Sequence, residues 1–247
     1  NTGVFNKYFK ESIIKSILVT IYGGEYFKII KNNKLRLIVL TKFHKSYLIN
    51  LGFNKNRIEV IPNYLLIPPF EKNMKKENYI VYAGRISHEK GVEELINSFL
   101  KSNLNNINLK IIGEGPDLHY LANKYKSEKV DFLGSVDNEE VWNEILNSRA
   151  VVTATKLFEG QPTLLCEASL LEVPAIFPSS GGISEFFPDN YPLSYEQFNY
   201  EDLIQKINQV SNVEEMDRIG RDNKKYINEY LSKIKLASLF KEALHGK

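Results

Sequence analysis

The 247-residue chain is 43% hydrophobic and carries a formal net charge of only +2 at pH 7, which is long enough for one large or two small globular domains. So small a charge, with no basic stripe interleaved with aromatics, argues against nucleic acid as a partner. No apolar run reaches the roughly 18 residues of a membrane span and no signal peptide opens the chain, while a single cysteine, Cys166, excludes an internal disulfide and suits a reducing, cytoplasmic compartment.

From Tyr8 to Ile30 apolar residues recur at mostly helical spacing, which Gly23-Gly24 is expected to interrupt. Residues 35–40 form a strand candidate. Thr41 is placed to cap a helix running to about Leu51, and Gly52 ends it where a left-handed residue is wanted. Arg57 to Ile61 is a short strand, broken by Pro62-Asn63-Tyr64. Lys28, Lys31, Lys34, Arg36, Lys42 and Lys45 make this first third locally basic. An ordinary solvated face is the favoured reading of them, and a surface for anionic lipid or a lipid-linked acceptor is the other. Residues 65–77, with Pro68-Pro69 and then Lys72, Lys75 and Lys76, read as a linker between domains.

After the linker the pattern becomes regular. Strands are predicted at 79–84, 109–113, 130–134, 150–155 and 174–177, alternating with helices at 92–100, 118–125, 141–146 and 164–171. Such alternation over short connections means right-handed βαβ units and a parallel sheet covered on both faces, an α/β domain. Helical spacing then returns at 199–210 and 214–243 without strands between. Ligands of such sheets bind beyond the C-terminal strand ends, and that is where three unusual loops fall.

The first is Gly84-Arg85-Ile86-Ser87-His88-Glu89-Lys90-Gly91. Arg85 can fork two phosphate oxygens and Lys90 can add a point charge. The second, Gly113-Glu114-Gly115-Pro116, lacks the third glycine of a dinucleotide fingerprint, and close backbone approach and a plain tight turn are about equally favoured for it. The third is Phe158-Glu159-Gly160-Gln161-Pro162-Thr163-Leu164, leading into a helix that carries Glu167 about a turn and a half further on. Pro162 is placed at the first helical position, where a missing N–H costs nothing. The free N–H groups of Thr163 and Leu164 would lie between the two carboxylates as a phosphate cradle. Cys166, beside Glu167, is read as a packed thiol rather than a nucleophile.

The E-G-x-P-x-x-x-x-E run at 159–167, together with Gly-Arg and Lys-Gly in 84–91, resembles the motifs of retaining nucleotide-sugar glycosyltransferases with the two-domain GT-B fold. The resemblance runs from about Leu35 to Pro188. It implies that residues 1–64 are the remainder of an acceptor-side domain, that 78–225 form a complete nucleotide-sugar-binding Rossmann-like domain, and that a helix in 226–247 crosses back to the first domain. By the same resemblance, Gly84, Arg85 and Lys90 meet the diphosphate, Gly113 and Glu114 the nucleoside and sugar, and the backbone at Val136 the base edge. Glu159 faces the sugar hydroxyls and the reacting centre. Gly160, Gln161, Thr163 and Leu164 border the donor, and Glu167 takes the ribose diol. Ser179 to Gly182 and Glu185 are similar to a second loop bordering the donor. Gln161 departs from the aromatic or aliphatic residue usual at its place, which would alter sugar choice.

The expected activity is transfer of a hexose from a UDP- or GDP-sugar to a saccharide or lipid-linked acceptor in bacterial surface-polysaccharide synthesis. No metal is expected, because no Asp-x-Asp pair is present and Arg85 and Lys90 would serve the diphosphate instead. A sugar phosphorylase-like or synthase-like enzyme and a non-catalytic nucleotide-sugar-binding module are the alternatives. The family often has a histidine at the donor sugar. None of His44, His88, His119 and His245 is nominated for it, a surface or structural role being the better reading of each.

Overall fold

The computed structural model describes residues 13–32, 35–67, 76–126 and 129–245. Most of the linker expectation, at 68–75, lies outside them, as do Lys34 and the start of the first helix. The first part of the chain comprises α1 (Ile13–Asn32), β1 (Leu37–Val39), α2 (Lys42–Asn50) and β2 (Ile58–Val60). β1 and β2 pair in parallel, Leu37 opposite Ile58. Gly23-Gly24 does not interrupt α1 as expected. Two glycines in the interior of a 20-residue helix cost about 1 kcal/mol each against alanine, too little to break it.

The second part holds six strands: β3 (Tyr79–Ala83), β4 (Asn108–Ile112), β5 (Val130–Gly134), β6 (Val151–Val152), β7 (Ala175–Pro178) and β8 (Ser194–Tyr195). The crossovers carry α3 (Val92–Lys101), α4 (Leu118–Lys124), α5 (Asn138–Asn147) and α6 (Thr163–Leu170). After β8 come α7 (Tyr200–Asn208), α8 (Val213–Tyr230) and α9 (Lys233–His245). Every strand pair is parallel. The order across the sheet is β5-β4-β3-β6-β7-β8. The chain therefore builds outward from β3 to one edge, then returns to lay β6 on the other side of β3. This is the doubly wound Rossmann order, and the crevice between β3 and β6 is its topological switch point.

The central strands bury both faces. Tyr79 to Tyr82 in β3 and all of β7 are buried, which explains why these segments read as unbroken apolar runs rather than alternating ones. α3 packs with α7, and α6 with α5 and α8.

Several boundaries differ from the sequence reading for local reasons. β6 stops at Val152 rather than Thr155. Beyond Thr153, whose N–H still reaches the Ile176 carbonyl at 2.9 Å, the Thr155 carbonyl turns to the side chain of Gln197 at 3.3 Å. α5 starts at Asn138 because the Asp137 carboxylate accepts the Glu140 N–H at 2.8 Å; its first turn is polar and invisible to apolar spacing. The expected continuous helix over 214–243 is two, since Leu231 caps α8 and the Ser232 carbonyl and hydroxyl restart the chain as α9. The two-residue strand β8 is too short to leave an apolar run in the sequence.

The two parts touch. Arg36 donates to the Ala243 carbonyl at 2.6 Å, tying α9 to the strand region of the first part. Thr41 caps α2 as expected, accepting the His44 N–H at 3.1 Å, and Gly52 follows it at φ +85°.

Candidate functional site at the switch point

The loop after β3 is held by glycines that let other backbone come close. A Cβ at Gly113 would fall 2.0 Å from the Gly84 carbonyl oxygen, and one at Gly115 2.0 Å from that of Ile86. The Ile86 N–H bonds the Glu114 carbonyl at 2.8 Å, and the buried Tyr82 hydroxyl donates to the Arg85 carbonyl at 2.8 Å. Gly113 and Gly115 serve a close approach within the chain itself. What approaches is the Arg85 loop, which these residues brace.

Gly91 does the same on the other side. Its φ is +67°, and a Cβ there would lie 1.9 Å from the Ala154 carbonyl oxygen. The backbone next to Lys90 is thereby pressed against the end of β6, and the Lys156 N–H bonds the Glu89 carbonyl at 3.0 Å.

This packing brings Lys90 and Glu159 together. Lys90 Nζ lies 2.6 Å from Glu159 Oε1, and the Thr155 hydroxyl donates to the same oxygen at 3.0 Å. The two charged side chains are 30% and 28% exposed, so solvent screens the pair and its net worth is at most about 1 kcal/mol. Such a bond exchanges readily for an incoming anion. Thr155 is hidden in the sequence because it reads as the last residue of an apolar strand. Its signal was a hydroxyl at a strand end, four residues before the carboxylate.

The helix beyond begins at Thr163, one residue after the Pro162 expected at its first helical position. Pro162 is its N-cap rather than its first helical residue: its ψ of 85° is not helical, and its carbonyl accepts the Cys166 N–H at 3.0 Å. No side chain caps this end, which leaves the first N–H groups directed out of the helix.

These pieces line one cleft of about 270 Å³. Its walls include Gly84, Arg85, Lys90, Thr155, Glu159, Gln161, Thr163 and Leu164. Gly113, Glu114, Val136, Gly160 and Glu167 do not line it. A larger hollow of about 460 Å³, lined by Lys76, Arg149, Met216 and Arg221 among others, opens at the opposite, N-terminal ends of β3 and β6. Position outweighs size here, because open α/β sheets bind ligands at the C-terminal ends.

Glu167 lies half-buried on α6. Burial pushes its carboxyl up from the ordinary value, partly opposed by a hydrogen bond from Trp142. Burial, followed by the charge of Glu167, raises the neighbouring Cys166 thiol, in keeping with the packed role read from sequence. A Glu167 that binds a ribose diol must be ionised, since only the carboxylate accepts both hydroxyl protons. Nucleoside affinity is therefore expected to rise with pH through a window above the ordinary glutamate range, and to flatten above it. Glu167→Gln should remove that slope. Titration calorimetry with uridine, which does not itself ionise in this range, from acid to neutral pH checks it; a slope retained in the variant refutes it.

The first part also reaches the site. The His44 ring sits against Gly160, where a Cβ would lie 2.6 Å from its Cε1. Phe43 and Phe158 pair with ring centroids 5.8 Å apart. His44 was not nominated from sequence, and the glycine it abuts was its only trace. The Gln161 side chain lines the cleft but holds the backbone of Asn63 with both ends of its amide, accepting from the N–H at 2.7 Å and donating to the carbonyl at 3.0 Å.

A Rossmann-like parallel sheet with two cations and a carboxylate at its switch point, opposite an uncapped helix start, has the architecture of GT-B glycosyltransferases. The chain belongs to the glycosyl transferases group 1 family, whose model matches residues 67–226. It is 26% identical over 174 residues to the amylovoran biosynthesis glycosyltransferase AmsD of Erwinia amylovora, covering 65% of this chain and 48% of that protein. It is 33% identical over 128 residues to a Campylobacter jejuni alpha-1,4-N-acetyl-D-galactosaminyltransferase whose name includes a PP-undecaprenol-linked saccharide, covering 49% and 35%. In structure it is similar to S. aureus TarM, solved with UDP, at a TM-score of 0.74 and 23% identity, covering 84% of this chain and 43% of that one. The chain thus spans about half or less of the length of these proteins.

Proposed function

We propose that this chain is the donor-binding part of a retaining glycosyltransferase that moves a hexose from a UDP- or GDP-sugar to a saccharide or lipid-linked acceptor during bacterial surface-polysaccharide assembly. The observation that carries the reading is the meeting of Arg85, Lys90, Glu159 and the start of α6 on one cleft. Arg85, Lys90 and the free N–H groups of Thr163 and Leu164 take the diphosphate. As the bond from the anomeric carbon to the diphosphate oxygen breaks, its electron pair leaves on the diphosphate, and these groups stabilise that charge. The acceptor oxygen then joins the same face of the sugar and its proton passes to the departing phosphate. Glu159 faces the sugar and stabilises positive character at the anomeric carbon. Glu167, outside the cleft walls, marks the ribose end.

In this reading two side-chain cations and a helix end take the place of a divalent ion at the diphosphate. The names of AmsD and the Campylobacter enzyme support the polysaccharide setting, and UDP in TarM supports a uridine donor. Among the described residues no helix is long and apolar enough to cross a membrane. Contact with an anionic inner-leaflet surface, if the acceptor is lipid-linked, falls to the basic first part, with Lys28, Lys31 and Lys45.

The test is a donor screen on the full-length protein with and without EDTA. Turnover or donor hydrolysis with a UDP- or GDP-sugar, unchanged by EDTA and retaining the anomeric configuration, is expected. Binding without any turnover would favour a non-catalytic module, and a sugar phosphate formed from free phosphate would favour a phosphorylase.

A further inference from the structure

The N-terminus of α2 belongs to the first part of the chain, yet it is capped largely by the second. Thr41 satisfies the His44 N–H from within. The N–H groups of Lys42 and Phe43 instead donate to Glu185 Oε2 and Oε1, each at 2.8 Å. A carboxylate that accepts two N–H groups at the positive end of a helix is a strong, charge-assisted contact. It exists only while the two parts are docked.

Glu185 stands on a short 3₁₀ turn, Ile183–Phe186, directly after Gly181-Gly182. That glycine pair lies between the two parts. The Gly182 N–H donates to the Glu159 carbonyl at 2.8 Å. A Cβ at Gly181 would fall 2.4 Å from that same oxygen, and one at Gly182 would fall 2.5 Å from Thr41 Cγ2. No side chain fits between α2, the glycine turn and the backbone of Glu159. Gln161, two residues beyond Glu159, repeats the linkage by holding the peptide of Asn63.

The geometry points to Glu185 as a positioning residue: by capping α2 across the boundary it makes the placement of Glu159 conditional on docking of the first part. This rests on the reading of Glu159 as the carboxylate that faces the donor sugar. The order of events follows from the contacts. When α2 leaves, two N–H groups and a carboxylate lose their partners together, the glycine turn loses its backing, and the Glu159 loop is released. Docking reverses all of these at once, so the backbone of the Glu159 loop, whose carboxylate Lys90 and Thr155 hold from within the second part, is fully backed only when the two parts are assembled. Thr41, Gly160, Gly181 and Gly182 serve this interface, which is why small residues stand at all four.

The experiment is amide hydrogen exchange on the full chain, with kinetics beside it. Glu185→Gln keeps the shape but presents an NH₂ group to one of the two N–H donors. Segment 158–162 should exchange about 5- to 10-fold faster than in the wild type, while 84–91 stays within 2-fold. With a donor that turns over, kcat should fall at least 10-fold while KM for the donor stays within 2-fold, and Glu185→Asp should recover part of the loss. Lys42→Pro guards against misfolding of the first variant. Proline suits the first helical position, the preceding Thr41 is extended at φ −142° and ψ 155°, and one of the two donors to Glu185 disappears. It should move exchange in the same direction by a smaller factor. Unchanged exchange at 158–162, or equal loosening of 84–91, overturns the coupling. Because exchange needs no donor, a wild type without transfer would contradict the proposed function while still deciding this point.

Discussion

Glu159→Gln is expected to lower transfer by about 10²- to 10³-fold, the usual loss when one transition-state electrostatic contact is removed, while leaving nucleotide affinity intact or slightly tighter. The asymmetry follows from the geometry of the Lys90–Glu159 pair. Lys90 is bonded to Glu159 Oε1 at 2.6 Å, so the donor diphosphate must draw the ammonium away from that carboxylate. With an uncharged amide in its place, Lys90 is free to meet the phosphates, and only the stabilisation of the sugar is lost. Thr155, at 3.0 Å, can still donate to the amide oxygen and hold the side chain. Calorimetry with UDP or GDP and single-turnover transfer, measured on the same preparation, separate the two effects. A parallel fall in nucleotide affinity and rate would contradict this division of labour.

Lys90→Met is expected to damage both. Removing it takes a cation from the diphosphate in the ground state and more so as charge builds on the leaving group, so donor affinity should fall by about 10-fold and turnover by about 10²-fold more. It also strands Glu159 with a single hydroxyl partner, adding net negative charge to a cleft that must take an anion. The double variant Lys90→Met with Glu159→Gln should regain part of the lost nucleotide affinity, because that charge is gone. A cycle over the two positions measures the coupling. Strictly additive losses would mean that the ion pair has no bearing on donor binding.

The parallel sheet could be read from the chain because strands buried on both faces leave continuous apolar runs, as in Tyr79 to Ala83 and Ala175 to Phe177, and because short loops rich in glycine punctuate them. Arg85, Lys90 and Glu159 stood out for the same reason: charged residues at strand ends have few structural reasons to be there. What stayed hidden depends on contacts distant in sequence. Thr155 looks like a strand residue until the sheet ends early at Val152. Glu185 looks like a loop carboxylate until it meets the backbone of Lys42 and Phe43, 143 and 142 residues away. Gln161 looks like a cleft residue alone until its amide meets the backbone of Asn63, 98 residues away. Glycines are the most informative signal whose cause stays hidden. Those at 113, 115, 181 and 182 are set by neighbouring backbone or side chain that comes within about 2.5 Å of a would-be Cβ, and one sequence cannot name that neighbour.

The most direct measurement is a crystal structure of the chain with UDP or GDP bound. The diphosphate is expected between Arg85, Lys90 and the N–H groups of Thr163 and Leu164, with Lys90 swung off Glu159 and the ribose hydroxyls on Glu167. A nucleotide seated elsewhere, such as the hollow beside Arg149 and Arg221, or a diphosphate that leaves the Lys90–Glu159 pair closed, would contradict it.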